Sequence, residues 1–167
     1  MSEENSVEDM EGVVEELPVV NEEEKKEMMA KLEMEQNLPL AIVGGAVAAI
    51  IGAAIWATVT VVTEYQIGWM AIGVGFLVGY AVRFLGKGIS PIFGIVGATF
   101  ALLGCVLGNI FSMVYFGSVQ EGVPFFELLS SVPISALFSM MVETFALMDL
   151  LFYGLAIYEG FKLSFRV

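Results

Sequence analysis

Residues Leu38–Thr63 run for 26 positions without one charged side chain. An α-helix rises about 1.5 Å per residue, and about 20 mostly apolar residues cross the hydrocarbon of a bilayer. A helix of this kind has no polar face to turn toward water, so it needs either a large core around it or lipid. Three more long apolar stretches follow in a chain of only 167 residues, 57% of them hydrophobic, so little remains from which such a core could be built. The expected fold class is an all-α membrane protein with four transmembrane helices, at approximately 40–63, 67–85, 91–116 and 134–158, and an acidic, partly helical cytoplasmic N-terminal tail.

Charge separates the tail from the rest. Residues 1–37 hold 13 of the 19 acids and 3 of the 7 bases, a net −10, which leaves 6 acids against 4 bases, a net −2, in the four-helix domain at 38–167. Residues 1–20 have the composition of a solvated tail. Residues 22–36 (EEEKKEMMAKLEMEQ) read as a juxtamembrane helix that Asn21 can cap, with Glu24 at the capping-box position. The chain opens on acids rather than on a short basic region, so the first apolar run is expected to be a retained helix and not a cleaved leader.

The bases also set an expected orientation. They lie in the tail (Lys25, Lys26, Lys31), in the second connection (Arg83, Lys87) and near the C-terminus (Lys162, Arg166), while the first and third connections have none. With four spans those three segments share one side, which the positive-inside rule makes cytoplasmic, with both termini on it. The short break Glu64-Tyr65-Gln66 makes the first two helices antiparallel neighbours, and Tyr65 and Trp69 suit an interfacial belt. Residues 117–133 are the longest loop, and 124–131 within it can form a short interfacial helix carrying Phe125 and Phe126.

Small residues fall on single helix faces: Gly45, Ala49 and Ala53; Ala71, Gly75 and Gly79; Gly97, Ala101, Gly104 and Gly108. In lipid, close backbone packing draws helices together, so these faces are expected as seams. Phosphate-binding glycines would need a strand–loop–helix setting, which the sequence lacks.

Few groups offer chemistry. The chain has no histidine and one cysteine, Cys105, read as a packing residue, so catalytic sites, cofactors and metal sites are expected to be none. A basic nucleic-acid footprint is absent. The candidate intramembrane polar sites are Glu143, Asp149, Asn109 and Arg83. In a continuous span at 134–158, Glu143 and Asp149 each sit three residues from the midpoint, about 4.5 Å from it. They point about 120° apart around the helix, so each needs its own partner. By depth, Arg83 is expected to pair with Asp149 and Asn109 with Glu143, and Ser135, Ser139 and Thr144 add local hydroxyls. The two acids read either as a proton or cation relay or as interhelical polar contacts that fix the bundle. Glu64 and Glu159 read as solvated ends.

The segments at 63–83 (TEYQIGWMAIGVGFLVGYAVR), 94–109 (GIVGATFALLGCVLGN) and 148–166 (MDLLFYGLAIYEGFKLSFR) resemble those of small bacterial multi-pass, four-helix membrane proteins with a TEYQIGWMAIG-type segment. The resemblance covers the helical region and not the tail. It implies a bacterial inner (plasma) membrane location and carries over no catalytic residue. The expected function is a non-enzymatic subunit or scaffold of a membrane complex. The alternative is a small oligomeric transporter or channel for protons or a small solute, using Glu143 and Asp149. The bilayer is the expected first partner, with a membrane protein or further copies of the chain as the second. An intramembrane enzyme has the least support, since no nucleophile–base arrangement is visible.

Overall fold

The computed structural model describes residues 21–65, 67–145 and 147–166. The solvated-tail reading of residues 1–20 lies outside them. Among the described residues the chain is all helical, with seven helices: α1 Glu22–Glu35, α2 Leu38–Thr63, α3 Trp69–Gly86, α4 Pro91–Glu121, α5 Phe125–Ser131, α6 Ile134–Thr144 and α7 Leu147–Leu163. Backbone proximity divides the chain into two units, Met1–Lys31 and Leu32–Val167. In the first, the Asn21 carbonyl accepts from Lys25 N (3.0 Å) as α1 begins, with Glu22, Glu23 and Glu24 in the first turn, where the helix dipole favours anions.

The second unit is a bundle of α2, α3, α4 and α7. α3 and α4 touch each other, and α2 and α7 each pack against both. Local chemistry starts and stops these helices. Asn37 caps α2, its side chain accepting from Leu40 N (2.9 Å), with Pro39 in the first turn. Pro91 opens α4, and Gly122 closes it at φ 68, a left-handed C-cap that glycine adopts at little cost.

The packing is inverted relative to a water-soluble bundle. Ala41, Ala53, Ala71, Ala101 and Ala156 are fully buried, whereas Ile50 is 56% and Leu150 60% exposed. Every small residue of the three expected seams is buried. A Cβ built on Gly104 would lie 2.7 Å from Val74, and one on Gly75 would lie 2.7 Å from the Ala156 carbonyl oxygen. The larger core residues (Trp56, Val74, Val78, Val82, Phe93 and Tyr153) fill the space between these contacts.

Three helices, α2, α3 and α4, are long and apolar enough to cross a membrane. The pair α5–α6, bent by 103°, adds a fourth only if it counts as one span.

The helix expected over 134–158 is interrupted. α6 ends at Thr144, Phe145 is extended (φ −71, ψ 116), and α7 starts at Leu147. Phe152 near the start of α7 packs on Trp69 (ring centroids 6.0 Å), and Arg166 N beyond its end donates to Gly88 O (2.8 Å). α7 therefore runs parallel to α3, with Phe152 level with Trp69, Ala156 against Gly75 and Gly160 against Gly79. Its 17 residues rise about 25 Å at 1.5 Å each. α6 instead lies beside residues 113–120 of α4.

The end where α3 meets α4 is tied together by backbone. Asn37 N donates to Gly86 O (2.8 Å), Ile89 N donates to Gln36 Oε1 (3.3 Å), and Lys87 Nζ sits 3.6 Å from a Glu35 carboxylate oxygen. Arg83, Lys87, Lys162 and Arg166 all belong to this end. Glu64, Glu121, Glu127, Glu143 and Asp149 belong to the other. We call these the basic end and the acidic end.

Candidate functional site

Two places hold polar groups that the packing does not explain. The first is inside the bundle. Asn109 on α4 is buried, and its Nδ2 donates to the hydroxyl of Tyr153 on α7. That hydroxyl lies 3.5 Å from the Cys105 carbonyl, to which it donates. Trp56 on α2 meets the Tyr153 ring edge to face, with centroids 6.4 Å apart. Ser112, also buried, donates to Gly108 O (2.8 Å). Trp56 Nε1 and Thr60 Oγ1 are buried and have no hydrogen-bond partner among the described residues. Thr60 differs here from Thr58, Thr63 and Thr99, whose hydroxyls donate to the carbonyl four residues back. Trp56 is seven residues, about 10 Å of helix, inside the acidic end of α2.

The second place is a groove of about 310 Å³ between α4 and α6, lined by Met113, Phe116, Gly117 and Gln120 from one helix and Met140, Glu143 and Thr144 from the other. Positions 113, 116, 117 and 120 follow the i, i+3, i+4, i+7 pattern of one helix face. Thr144 Oγ1 is held by the Met140 (2.9 Å) and Met141 (3.2 Å) carbonyls. A separate apolar groove of about 430 Å³ opens between α2, α4 and α5, beneath Phe125 and Phe126.

Of the four candidate polar residues, Asn109 and Asp149 both lie near Tyr153, while Arg83 and Glu143 stand apart from them. Arg83 is in the last turn of α3 and Asp149 in the first turn of α7, at opposite ends of two parallel helices. From Trp69, which packs on Phe152 three residues past Asp149, to Arg83 is 14 residues, about 21 Å. The expected Asp149–Arg83 pair is therefore excluded. Asn109 bonds to Tyr153, and Glu143 lies on an exposed face of α6 and makes no hydrogen bond or ion pair among the described residues, so the expected Glu143–Asn109 bond is not formed. Neither acid stands at mid-depth of a span. The break at 145 places Asp149 at the start of α7 and Glu143 beyond it. Tyr153 is the buried polar partner that sequence reasoning missed. Its signal was a hydroxyl in an apolar run facing a helix with one interior amide.

Among the described residues, no group of three or more His, Cys, Asp or Glu side chains can hold a metal ion. Cys105 is a buried free thiol. No protein-family model, curated protein or solved structure matches this chain.

Proposed function

We propose that the chain is a four-span integral membrane protein, crossing by α2, α3, α4 and α7, and that it serves as a non-enzymatic subunit or scaffold of a membrane complex. The observation that carries the membrane reading is the inverted packing: alanine and glycine inside, isoleucine and leucine outside. Water would expel such a surface, whereas lipid accepts it. α7 has 17 residues against 18 for α3, beside which it runs in parallel. The gathering of all four bases of the second unit at one end supports that end as the cytoplasmic one, with both termini on that side. The resemblance of residues 63–83 to bacterial multi-pass proteins supports a bacterial plasma membrane.

Support for the subunit role comes from α5 and α6. Neither has a buried residue, and together they leave Phe126, Ile134, Phe138 and Val142 exposed, apart from the stripe that carries Ser139 and Glu143. Such a surface is best covered by another protein. The transporter alternative has less support, because Glu143 lies outside the bundle, Asp149 stands at its acidic end, and the seams are closed by backbone contact. Gentle solubilisation of the full chain from its membrane, followed by intact-complex mass determination, tests the role. A defined heteromeric complex of fixed stoichiometry is expected. A homo-oligomer alone would favour the transporter, and a monomer would contradict both readings.

A further inference from the structure

The carboxylate of Glu143 makes no hydrogen bond or ion pair among the described residues, yet it lines a groove whose other walls are mainly apolar. Phe116 lines it with an aromatic ring, a group whose face attracts cations. Met113 and Met140 offer flexible, polarisable thioethers that adapt to varied apolar shapes. Gln120 adds a neutral amide that makes no hydrogen bond among the described residues. No base lines the groove, and the end of the molecule that carries it holds five acids and none of the four bases of the second unit. The summed field there attracts positive charge. A groove of about 310 Å³ is at the small end of ligand pockets, which run from about 300 Å³.

From this we infer that the α4–α6 groove binds a small amphipathic organic cation, an alkyl- or arylammonium, with Glu143 as its counter-ion and Phe116, Met113 and Met140 around its apolar part. The ligand must be cationic because the one charged group is an unpaired carboxylate. It must be partly apolar because the walls leave a fully hydrated ion no replacement for its water. A bare inorganic cation is disfavoured for the same reason: one carboxylate and one amide supply too few oxygens for a calcium or magnesium ion, which needs about six or more. The inference concerns binding and does not require transport, so it stands apart from the subunit reading.

The test is equilibrium binding to the full chain in neutral maltoside micelles, with protein-free micelles as the blank. The probe is benzyltrimethylammonium. Phenylacetate serves as an anion of similar body, and tetramethylammonium as a cation without the aromatic part. Saturable binding of benzyltrimethylammonium is expected, at least about tenfold tighter than either comparison ligand, the size of a desolvated cation–π or charge-assisted contact. Glu143→Gln should weaken it by about tenfold or more, while Glu64→Gln, which removes the same charge at another place on the acidic end, should change it less than about twofold. Absence of saturable binding, equal binding of phenylacetate, or equal loss in the two variants would overturn the proposal. The last result would mean a diffuse field rather than a site. Should Glu143→Gln fail to fold, Glu143→Asp and the ligand comparison on the unaltered chain decide the matter.

Discussion

Gly75→Ala tests the closeness of the α3–α7 seam. The added Cβ would lie 2.7 Å from the Ala156 carbonyl oxygen, 3.0 Å from its Cα and 3.2 Å from its carbonyl carbon, all backbone atoms that no rotamer change can move. Ordinary contact begins near 3.4 Å, so the two helices must part by about 0.7 Å. A gap of about 0.5–1 Å forfeits roughly a quarter to a half of each dispersion contact along the seam. Overpacking of this sort costs about 1–3 kcal/mol. Alanine also propagates helix better than glycine, by up to about 1 kcal/mol, which would mask part of the loss. Gly73 supplies the control: it is on the same helix two residues away, and a Cβ there meets nothing within 4 Å. Reversible unfolding in mixed micelles, by denaturing-detergent titration followed by circular dichroism, gives both values. Gly73→Ala should be neutral or stabilising, and Gly75→Ala less stable than it by about 1–3 kcal/mol. Equal stabilities would refute the seam at this position.

Other expectations follow from the same geometry. Tyr153→Phe removes the acceptor for Asn109 Nδ2 and should cost about 0.6–1.7 kcal/mol, the range of interhelical hydrogen bonds in membranes, with a double-mutant cycle against Asn109→Leu returning that coupling. Arg83→Ala and Asp149→Asn, at opposite ends of the bundle, should be additive to within about 0.5 kcal/mol in the same unfolding assay. Glu35→Gln, which removes an ion pair with Lys87 whose partners are each about half exposed, should cost less than about 1 kcal/mol and fade with added salt. Cys105, fully buried, should resist alkylation by a membrane-permeant maleimide in the folded chain and react on unfolding, as mass spectrometry would report.

Much of the helical content was legible because charge-free runs and one-sided small-residue patterns have physical causes that act locally. The stripe of Gly97, Ala101, Gly104 and Gly108 reads as a packing face from spacing alone, and all four are buried. The break at Phe145 was not legible. No proline or glycine marks it, and apolar content is the same on both sides, so hydropathy is silent about a change of direction. What marks it are weaker signs: a threonine whose hydroxyl folds back on its own helix at 144, and an acid at 149 in the first turn of the next. The depths assigned to Glu143 and Asp149 failed with the continuous span that was meant to carry them. The loop expected from 117 starts later: α4 continues to Glu121, and Gly122, in a left-handed conformation, ends the helix. The Asn109–Tyr153 contact joins residues 44 apart, a pairing that needs the third dimension.

The central claim is that α7, rather than residues 134–158, is the fourth span, so that α6 lies at the acidic face outside the bilayer core. Single-cysteine labelling of Ser139→Cys and Ala156→Cys, each in a Cys105→Ala background, tests it in intact cells with a membrane-impermeant maleimide. The account predicts reaction at position 139 from outside and protection at position 156. Protection at both, with position 139 reacting only after the membrane is dissolved, would restore the continuous span and contradict the account.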